Sequence, residues 1–358
     1  MGILNIASTK NRNQFVDIMR GIAMLLVVLG HTMTGSTVNS EQSFIFNVIW
    51  SLQMPLFILI SGYVTRYSKD IDTLQSLFKL LRKRTVAYLL PLAFWSFLIR
   101  GLILRQKIFF DFKYILWHMD NGYWFLATIW TISVIFGISS YISSFVKSSV
   151  FIKQAILFAS YVCGMAVLGG IGYFAGMSFF CIKLTLYYMP FYFTGYLYGQ
   201  YRDKIFALSF GRQAVDVIVA VCFAIWLFVL VRFNLFSMSD GGVRLIIRAV
   251  ASLSGCIAVC GLLKAAICEK SNEGGYISAI RWVGVHSLEI YLTHYLFLHS
   301  LLSIPMPIMM SLKGAASVLA NYTVTLTVTA IAVTLINSSK VLSFCLYGKR
   351  KQNKKMME

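Results

Sequence analysis

The first apolar segment of the chain, Phe15 to Met33, contains side chains that could do chemistry inside a membrane. It is long enough to cross a bilayer, yet it carries Asp17, Arg20 and His31. Ionisable side chains are costly in hydrocarbon and usually mark function or a buried partner. Helical geometry places Arg20 and His31 about 20° apart around the axis, with Asp17 about 60° from Arg20. The pattern predicts a polar stripe along one face of an apolar helix.

His31 is the candidate general base in this stripe. A neutral imidazole can take a proton from a hydroxyl near pH 7 when it is held in the right tautomer. The alternative is a histidine that forms a hydrogen bond across a helix interface for packing alone. Asp17 and Arg20 beneath it favour the functional interpretation.

A second polar cluster lies at residues 284–294, which read GVHSLEIYLTH. Steps of four and three residues return to the same helix face, which places Ser287, Tyr291 and His294 together. Glu289 lies off that face, and an ionised carboxylate at this depth needs a partner. The alternative is a polar network between helices that carries no chemistry.

Cations elsewhere in the chain complete the candidate site. Four of them precede the third apolar segment: Lys79, Arg82, Lys83 and Arg84. Such a patch can bind phosphate through charge-assisted hydrogen bonds, although a topology signal made of the same residues would look alike. Arg248 lies inside the eighth apolar segment, and either Arg248 or Arg20 is the expected partner of Glu289.

Composition identifies the class of protein to which these residues belong. Of the 358 residues, 58% are hydrophobic and 13% are charged, and the mean hydropathy is +0.73. We predict an all-α integral membrane protein with about ten transmembrane helices in one bundle. Residues 1–340 form a single transmembrane domain, and residues 341–358 form a basic cytoplasmic tail. The predicted spans are 15–33, 44–64, 86–104, 123–145, 151–171, 179–199, 214–236, 244–263, 285–303 and 316–337.

The net charge of +19 is explained by membrane topology rather than by a nucleic-acid partner. With the N-terminus in the cytoplasm, 22 Lys and Arg residues fall on inner segments and five on outer loops. This asymmetry follows the positive-inside rule and places both termini in the cytoplasm, with a further attraction to anionic lipids. The seven cysteines are odd in number and lie in or beside spans, so neither a disulfide framework nor a metal site is predicted.

Four short motifs occur in order along the chain. They are DIMRGIA at 17–23 followed by His31, PLFILISGY at 55–63, WFL at 124–126, and GVHSLEIYLTH at 284–294. Together they resemble acyltransferase family 3, the multipass membrane acyltransferases that modify cell-envelope and other polysaccharides. The resemblance covers nearly the whole chain. It implies transfer of an acyl group, often acetyl from acetyl-CoA, to a sugar hydroxyl, with His31 as the catalytic histidine and Arg20 in support.

The resemblance also implies that the basic segment before the third span meets the CoA donor. Family members often carry a second arginine one turn beyond the one that matches Arg84. Here Ala87 and Tyr88 occupy that turn. The CoA contact would then fall to Arg82 and Lys83.

We therefore expect an O-acyltransferase of the bacterial plasma membrane. Acyl-CoA, in the first place acetyl-CoA, is expected as a co-substrate rather than as a permanently bound cofactor. The other expected partners are a cell-envelope glycan, free or lipid-linked, and membrane lipids. Arg20, Arg248, Ser287 and Tyr291 are unranked candidates to stabilise the developing oxyanion. Direct transfer and a relay through an acyl-histidine both stay open.

The main alternative is a multipass transporter or flippase for a glycan or a small polar substrate, because intramembrane Asp, Arg and His also line substrate pathways. Against it, the sequence shows no paired broken helices in matching halves. Transfer of succinyl or another acyl group on the same scaffold is a second alternative, and a structural or sensory membrane protein is a third. Acyl-CoA-dependent modification of a glycan would separate the enzyme from a protein that moves a substrate without covalent change.

Overall fold

The computed structural model describes residues 13–103, 111–119, 122–207, 211–239, 241–268, 274–298 and 305–349. Helices account for almost all the regular structure in these ranges, and the β-structure within them is one isolated bridge between Val38 and Ile308. Parts of the predicted second outer loop, 105–122, and the second half of the predicted tail, 350–358, lie outside the described residues.

Fourteen α-helices follow one another along the described chain. They are α1 (Gln14–Ser36), α2 (Phe44–Thr65), α3 (Leu74–Arg84), α4 (Leu90–Ala93), α5 (Phe112–Trp117), α6 (Trp124–Ser144), α7 (Val150–Ala175), α8 (Ile182–Ala207), α9 (Gly211–Arg232), α10 (Gly242–Cys268), α11 (Gly275–Val285), α12 (Ser287–Thr293), α13 (Leu312–Ser338) and α14 (Lys340–Tyr347). Short 3-10 turns add Ser40–Gln42, Phe179–Cys181 and His294–Leu296, and π-helical turns add Thr85–Leu89 and Phe94–Ile103.

Seven of the described helices are long and apolar enough to cross a membrane: α1, α2, α6, α7, α9, α10 and α13. This agrees with an all-α membrane protein, whereas the count of ten spans stays a prediction. The third predicted span, 86–104, is described as far as Ile103 and forms π-helical turns on either side of α4, which contains Pro91. The ninth, 285–303, is broken at His286 between α11 and α12, and its residues 299–303 lie outside the described part of the chain. The sixth, 179–199, lies largely in α8, which extends into the charged stretch 202–204.

Helix α1 crosses α11 with the two backbones in direct contact. A Cβ atom placed on Gly284 would collide with the backbone carbonyl oxygen of Asp17, and one on Gly21 would collide with that of Ile280. Small residues allow this approach, which dispersion and polar contacts stabilise in a membrane where the hydrophobic effect does not hold helices together. The crossing therefore fixes α11, and the segment that follows it, against α1.

Helices α2 and α8 meet in the same way. A Cβ on Gly62 would strike the carbonyl oxygen of Tyr192, and one on Gly195 would strike that of Leu59. At the end of this interface the Tyr192 hydroxyl and Thr65 Oγ1 are 2.6 Å apart and share a hydrogen bond. Close contacts at glycine thus connect α1 to α11 and α2 to α8.

The short helix α14 docks under α12 and carries the partner of a buried carboxylate. The Glu289 side chain is 1% exposed and forms an ion pair with Lys349, which follows α14. Its Oε1 atom lies 3.1 Å from Nδ1 of His286. Arg248 or Arg20 was the predicted partner of Glu289, whereas the partners that the structure shows are Lys349 and His286. Spacing along the chain could not reveal this ion pair, because 60 positions separate Glu289 from Lys349.

Two hydrogen bonds hold α14 in position. The Tyr347 hydroxyl lies 2.9 Å from Thr293 Oγ1, and Trp95 Nε1 donates to the Leu346 carbonyl oxygen at 2.9 Å. Thr293, Trp95 and Tyr347 are all buried. The beginning of the predicted tail is therefore part of the packed bundle as far as Lys349.

Gly284→Ala should destabilise the bundle, because the new methyl group meets backbone atoms that cannot turn away. Overpacking of this kind costs about 1–3 kcal/mol. The measurement is the midpoint of thermal unfolding in detergent. Gly170→Ala is the matched control, since a Cβ there meets no atom within 4 Å and alanine favours the helix. Equal melting temperatures for Gly284→Ala and the control would contradict this account of the crossing.

Lys349→Met should lower the stability of the protein by up to ~3 kcal/mol, because it leaves the buried Glu289 carboxylate without its cation. Adding Glu289→Gln should recover part of the loss, since the uncompensated charge is then gone. Lys340→Met, an exposed lysine at the start of α14, is the control and should be close to neutral. Thermal unfolding of the wild type, the two single variants, the double variant and the control measures the coupling, and additive effects in the double variant would argue against the ion pair.

Candidate active site

His31 lies five residues before the end of α1, where its ring is partly exposed. The Tyr295 hydroxyl is 3.2 Å from Nε2 and 3.3 Å from Nδ1 of this imidazole. The His294 ring stands beside it, with a centroid separation of 5.5 Å and an angle of 35° between the planes. The structure thus brings together His31 from the first motif and His294 from the last, 263 positions apart in the chain.

The turn that presents His294 and Tyr295 forms where α12 tightens into a 3-10 helix at His294–Leu296. His294 is completely buried, and its Nδ1 lies 2.9 Å from the Ile290 carbonyl oxygen. Its Nε2 has no hydrogen-bond partner among the residues that the structure describes. Buried polar atoms without a partner are exceptional in folded proteins, so this nitrogen calls for an explanation.

Aromatic rings form the wall behind the two imidazoles. Tyr291, one turn before His294 on α12, has its ring centroid 6.2 Å from that of His294 and 5.4 Å from that of Phe125. Tyr123, just before α6, stands edge-on to Tyr295 at 6.4 Å. The WFL motif therefore contributes to the wall through Phe125. Tyr295 was not among the residues predicted for the site, although its position directly after His294 was a usable signal.

The other members of the predicted stripe lie at a different level of α1. Asp17 is 3% exposed and Arg20 is partly exposed, both at the crossing with α11. Eleven residues of helix separate Arg20 from His31 by about 16 Å. The same reasoning places Ser287, the first residue of α12, about 10 Å before His294. The imidazole is thus grouped with Tyr291, His294 and Tyr295 rather than with Asp17 and Arg20.

Arg248 lies in an aromatic box on α10. Its guanidinium carbon is 5.0 Å from the ring centroid of Tyr187 and 5.5 Å from that of Trp50. Cation–π contacts of this kind stabilise a cation where water is scarce. They explain how Arg248 is accommodated without the Glu289 carboxylate that the sequence analysis considered for it.

The basic patch on α3 divides into two parts. Lys79, Arg82 and Lys83 are exposed, whereas Arg84 is partly buried. Arg84 Nη1 donates a hydrogen bond of 3.1 Å to the hydroxyl of Tyr88, the residue that occupies the turn where a second arginine was expected. The tyrosine therefore orients the guanidinium of Arg84 instead of adding a second cation.

Arg84 lines a cavity of about 70 Å³ between α2, α3, α6 and α8. The charged and polar side chains around it include Arg66, Lys69, Asp70, Arg84, Ser133 and Tyr192. Helix α6 runs from this cavity to the histidines, because Ser133 lines the cavity and Phe125 belongs to the aromatic wall. Eight residues of helix separate these two positions by about 12 Å.

Comparison with known proteins agrees with the motifs. The family model described as an acyltransferase domain, acyltransferase family 3, matches residues 13–337. The nodulation protein NolL of Sinorhizobium fredii (strain NBRC 101917 / NGR234) is 27% identical over 206 residues, which are 54% of this chain and 50% of that protein. NolL of Mesorhizobium japonicum (strain LMG 29417 / CECT 9101 / MAFF 303099) is 27% identical over 205 residues, with the same coverage.

The alignment spans about half the length of these curated relatives, and no solved structure matches the chain. The family model, in contrast, extends from the start of α1 almost to the end of α13 and so includes both histidines and the cavity. The predicted family is therefore confirmed, and this chain belongs to acyltransferase family 3.

Proposed function

We propose that the protein is a membrane O-acyltransferase that moves an acyl group, in the first place acetyl, from acyl-CoA to a hydroxyl of a cell-envelope sugar. Membership of the acyltransferase family supports the reaction class. The single observation that carries the proposal further is the pairing of a partly exposed His31 with a buried His294 at one end of α6 and a cationic cavity at the other. The proposed location is a bacterial plasma membrane, with both termini in the cytoplasm.

In the proposed reaction His31 acts as the general base. It takes the proton of the acceptor hydroxyl while the hydroxyl oxygen attacks the thioester carbonyl. A carbon–oxygen bond forms, the carbon–sulfur bond breaks, and the proton returns from His31 to the departing sulfur. A relay through an acyl-histidine would break and form the same bonds in two steps. Either route needs an imidazole that is open to the acceptor, as the partly exposed ring of His31 is.

Tyr291 is the best placed of the candidates for stabilising the oxyanion. Its ring lies beside His294, whereas Arg248 is enclosed by Trp50 and Tyr187 and Arg20 lies about 16 Å along α1 from His31. A hydroxyl donor held in a buried site needs no reorganisation when charge develops on the carbonyl oxygen. Arg20 and Asp17 lie at the crossing of α1 with α11 and take no direct part in this step.

The cavity beside α3 is the proposed site for the phosphates of CoA. A guanidinium binds phosphate through directional, charge-assisted hydrogen bonds, and Arg84 is held by Tyr88 so that it faces the cavity. The exposed Lys79, Arg82 and Lys83 would add a local positive field that draws the anionic donor to the entrance. Helix α6 would then guide the acyl arm toward His31.

Replacing His31 with alanine should abolish acyl transfer without unfolding the protein, because the ring is partly exposed and at the edge of the core. Loss of a general base lowers the rate by about 10²–10⁴-fold. The assay uses purified protein in liposomes with radiolabelled acetyl-CoA and a panel of 4-nitrophenyl hexopyranosides, followed by mass spectrometry of the sugar. His118→Ala, an exposed histidine on the segment after α5, is the control. A His31→Ala protein that still acetylates the sugar would contradict the role of His31 as general base. Transport of the acceptor without acetylation in the wild type would favour a transporter.

Replacing Arg84 with glutamine should raise the KM for acetyl-CoA more than it lowers kcat, because the lost contact is to the phosphates and not to the reacting carbon. A charge-assisted hydrogen bond contributes roughly 1.5–3 kcal/mol, which corresponds to about 10- to 100-fold in KM. Arg232→Gln is the matched control, since it removes an exposed arginine at the end of α9. An unchanged KM in Arg84→Gln would place the CoA site elsewhere.

A further inference from the structure

The hydrogen bonds of His294 define its tautomer. A carbonyl oxygen can only accept a hydrogen bond, so the 2.9 Å contact between His294 Nδ1 and the Ile290 oxygen places the proton on Nδ1. In the neutral ring Nε2 then carries a lone pair. This lone pair is buried and has no donor among the described residues. Leaving a buried acceptor unsatisfied costs free energy, and an N–H donated by a neighbouring ring would relieve the cost.

The His31 ring is close enough to His294 to donate this hydrogen bond. The centroid separation of 5.5 Å and the tilt of 35° put the two rings within reach of an edge-to-edge hydrogen bond. The neutral His31 ring carries one N–H, which can point at His294 and leave the lone pair of the other nitrogen for the acceptor hydroxyl. After His31 takes a proton, both nitrogens carry an N–H and the bond to His294 is kept. In the resting state the Tyr295 hydroxyl lies nearly equidistant from both nitrogens of His31. The two nitrogen lone-pair directions diverge, so one oxygen cannot be well aligned with both.

We propose that His294 is a positioning residue for His31, accepting a hydrogen bond at Nε2 from an N–H of the His31 ring and so orienting the other nitrogen toward the acceptor hydroxyl. The proposal rests on the proposed function and gives it a specific arrangement. His294 stays neutral throughout, and the proton of the acceptor travels only to His31 and then to the departing sulfur. The pair differs from a histidine held by a carboxylate, because no fixed negative charge is buried with it.

The surroundings of the pair are consistent with a neutral partner. The titratable side chains in ring contact with the two imidazoles are Tyr295, which follows His294, and Tyr291, one turn earlier; Tyr123, just before α6, packs against Tyr295 behind them. Within the described ranges no carboxylate and no cation contacts either ring. The buried carboxylate of Glu289, on α12, instead forms an ion pair with Lys349 and contacts His286.

The alternative is that His294 only caps the end of α12 through its bond to Ile290. Two variants separate the two roles. In His294→Asn the short amide can still donate to the Ile290 oxygen, but no acceptor remains where Nε2 stood. In His294→Gln the longer amide places an oxygen near the former Nε2. His118→Asn is a matched control, because His118 Nδ1 lies 3.1 Å from the carbonyl oxygen of Tyr114, one turn earlier, on an exposed segment.

We expect His294→Asn to lower kcat for acetyl transfer about tenfold or more while the KM for acetyl-CoA stays unchanged, and His294→Gln to recover most of that loss. The control should keep the wild-type kcat. A His294→Asn protein with wild-type kcat, or equal losses in both variants that follow their melting temperatures, would overturn the proposal. A wild type that transfers no acetyl group would instead count against the proposed function.

A measurement that does not depend on turnover covers the case in which the variants fail to fold. Nitrogen-15 NMR of histidine-labelled protein should show His294 with a protonated Nδ1 and an unprotonated Nε2. The Nε2 resonance should shift when His31 is replaced with alanine, since its hydrogen-bond donor is then gone. An Nε2 resonance that is unchanged by His31→Ala would overturn the proposal even without activity data.

Discussion

The candidate site depends on the backbone contact between α1 and α11. Gly21 and Gly284 meet at this crossing, and a methyl group on either would strike a carbonyl oxygen of the other helix. His31 is ten residues beyond Gly21, and His294 is ten residues beyond Gly284. Both segments rise about 15 Å over that distance if they continue as helix. The crossing therefore sets the register that brings the two histidines to the same level, where their rings stand 5.5 Å apart.

The helix is interrupted at His286, between α11 and α12. Contacts with other parts of the bundle stabilise α12, the short helix after this break. His286, at the break, contacts Glu289, and Glu289 is neutralised by Lys349 from beyond α14. Burying a carboxylate is unfavourable unless its partners are in place, so the docking of α14 with Lys349 stabilises α12. The last described helix of the chain thus supports the short helix that presents His294. The proposed chemistry needs this support because a histidine that orients another must itself be fixed.

The sequence predicted the class of fold and selected His31 and His294, whose rings the structure brings together, but it did not predict contacts between distant segments. Apolar length and charge asymmetry were sufficient for an all-α membrane protein, and His31 and His294 were both selected from their types and spacing. Helical spacing also grouped His31 with Arg20, which lies about 16 Å away along α1. Helical periodicity predicts which residues share a face of a helix, but it does not predict at which level along the helix axis another helix makes contact. The Glu289–Lys349 ion pair could not be predicted for the same reason, since α14, which Lys349 follows, meets α12 only in the folded bundle.

The central claim is that an acyl-CoA bound at the cavity beside Arg84 delivers its acyl carbon to His31. The most direct test is a cryo-electron-microscopy structure of the protein in a lipid nanodisc with a non-hydrolysable acetyl-CoA analogue, in which a methylene group replaces the thioester sulfur. The account predicts that the phosphates lie against Arg84, that the arm follows α6, and that the acetyl carbonyl stops beside His31. An acetyl group that stops in another part of the bundle, or a nucleotide bound away from the α3 cavity, would contradict it.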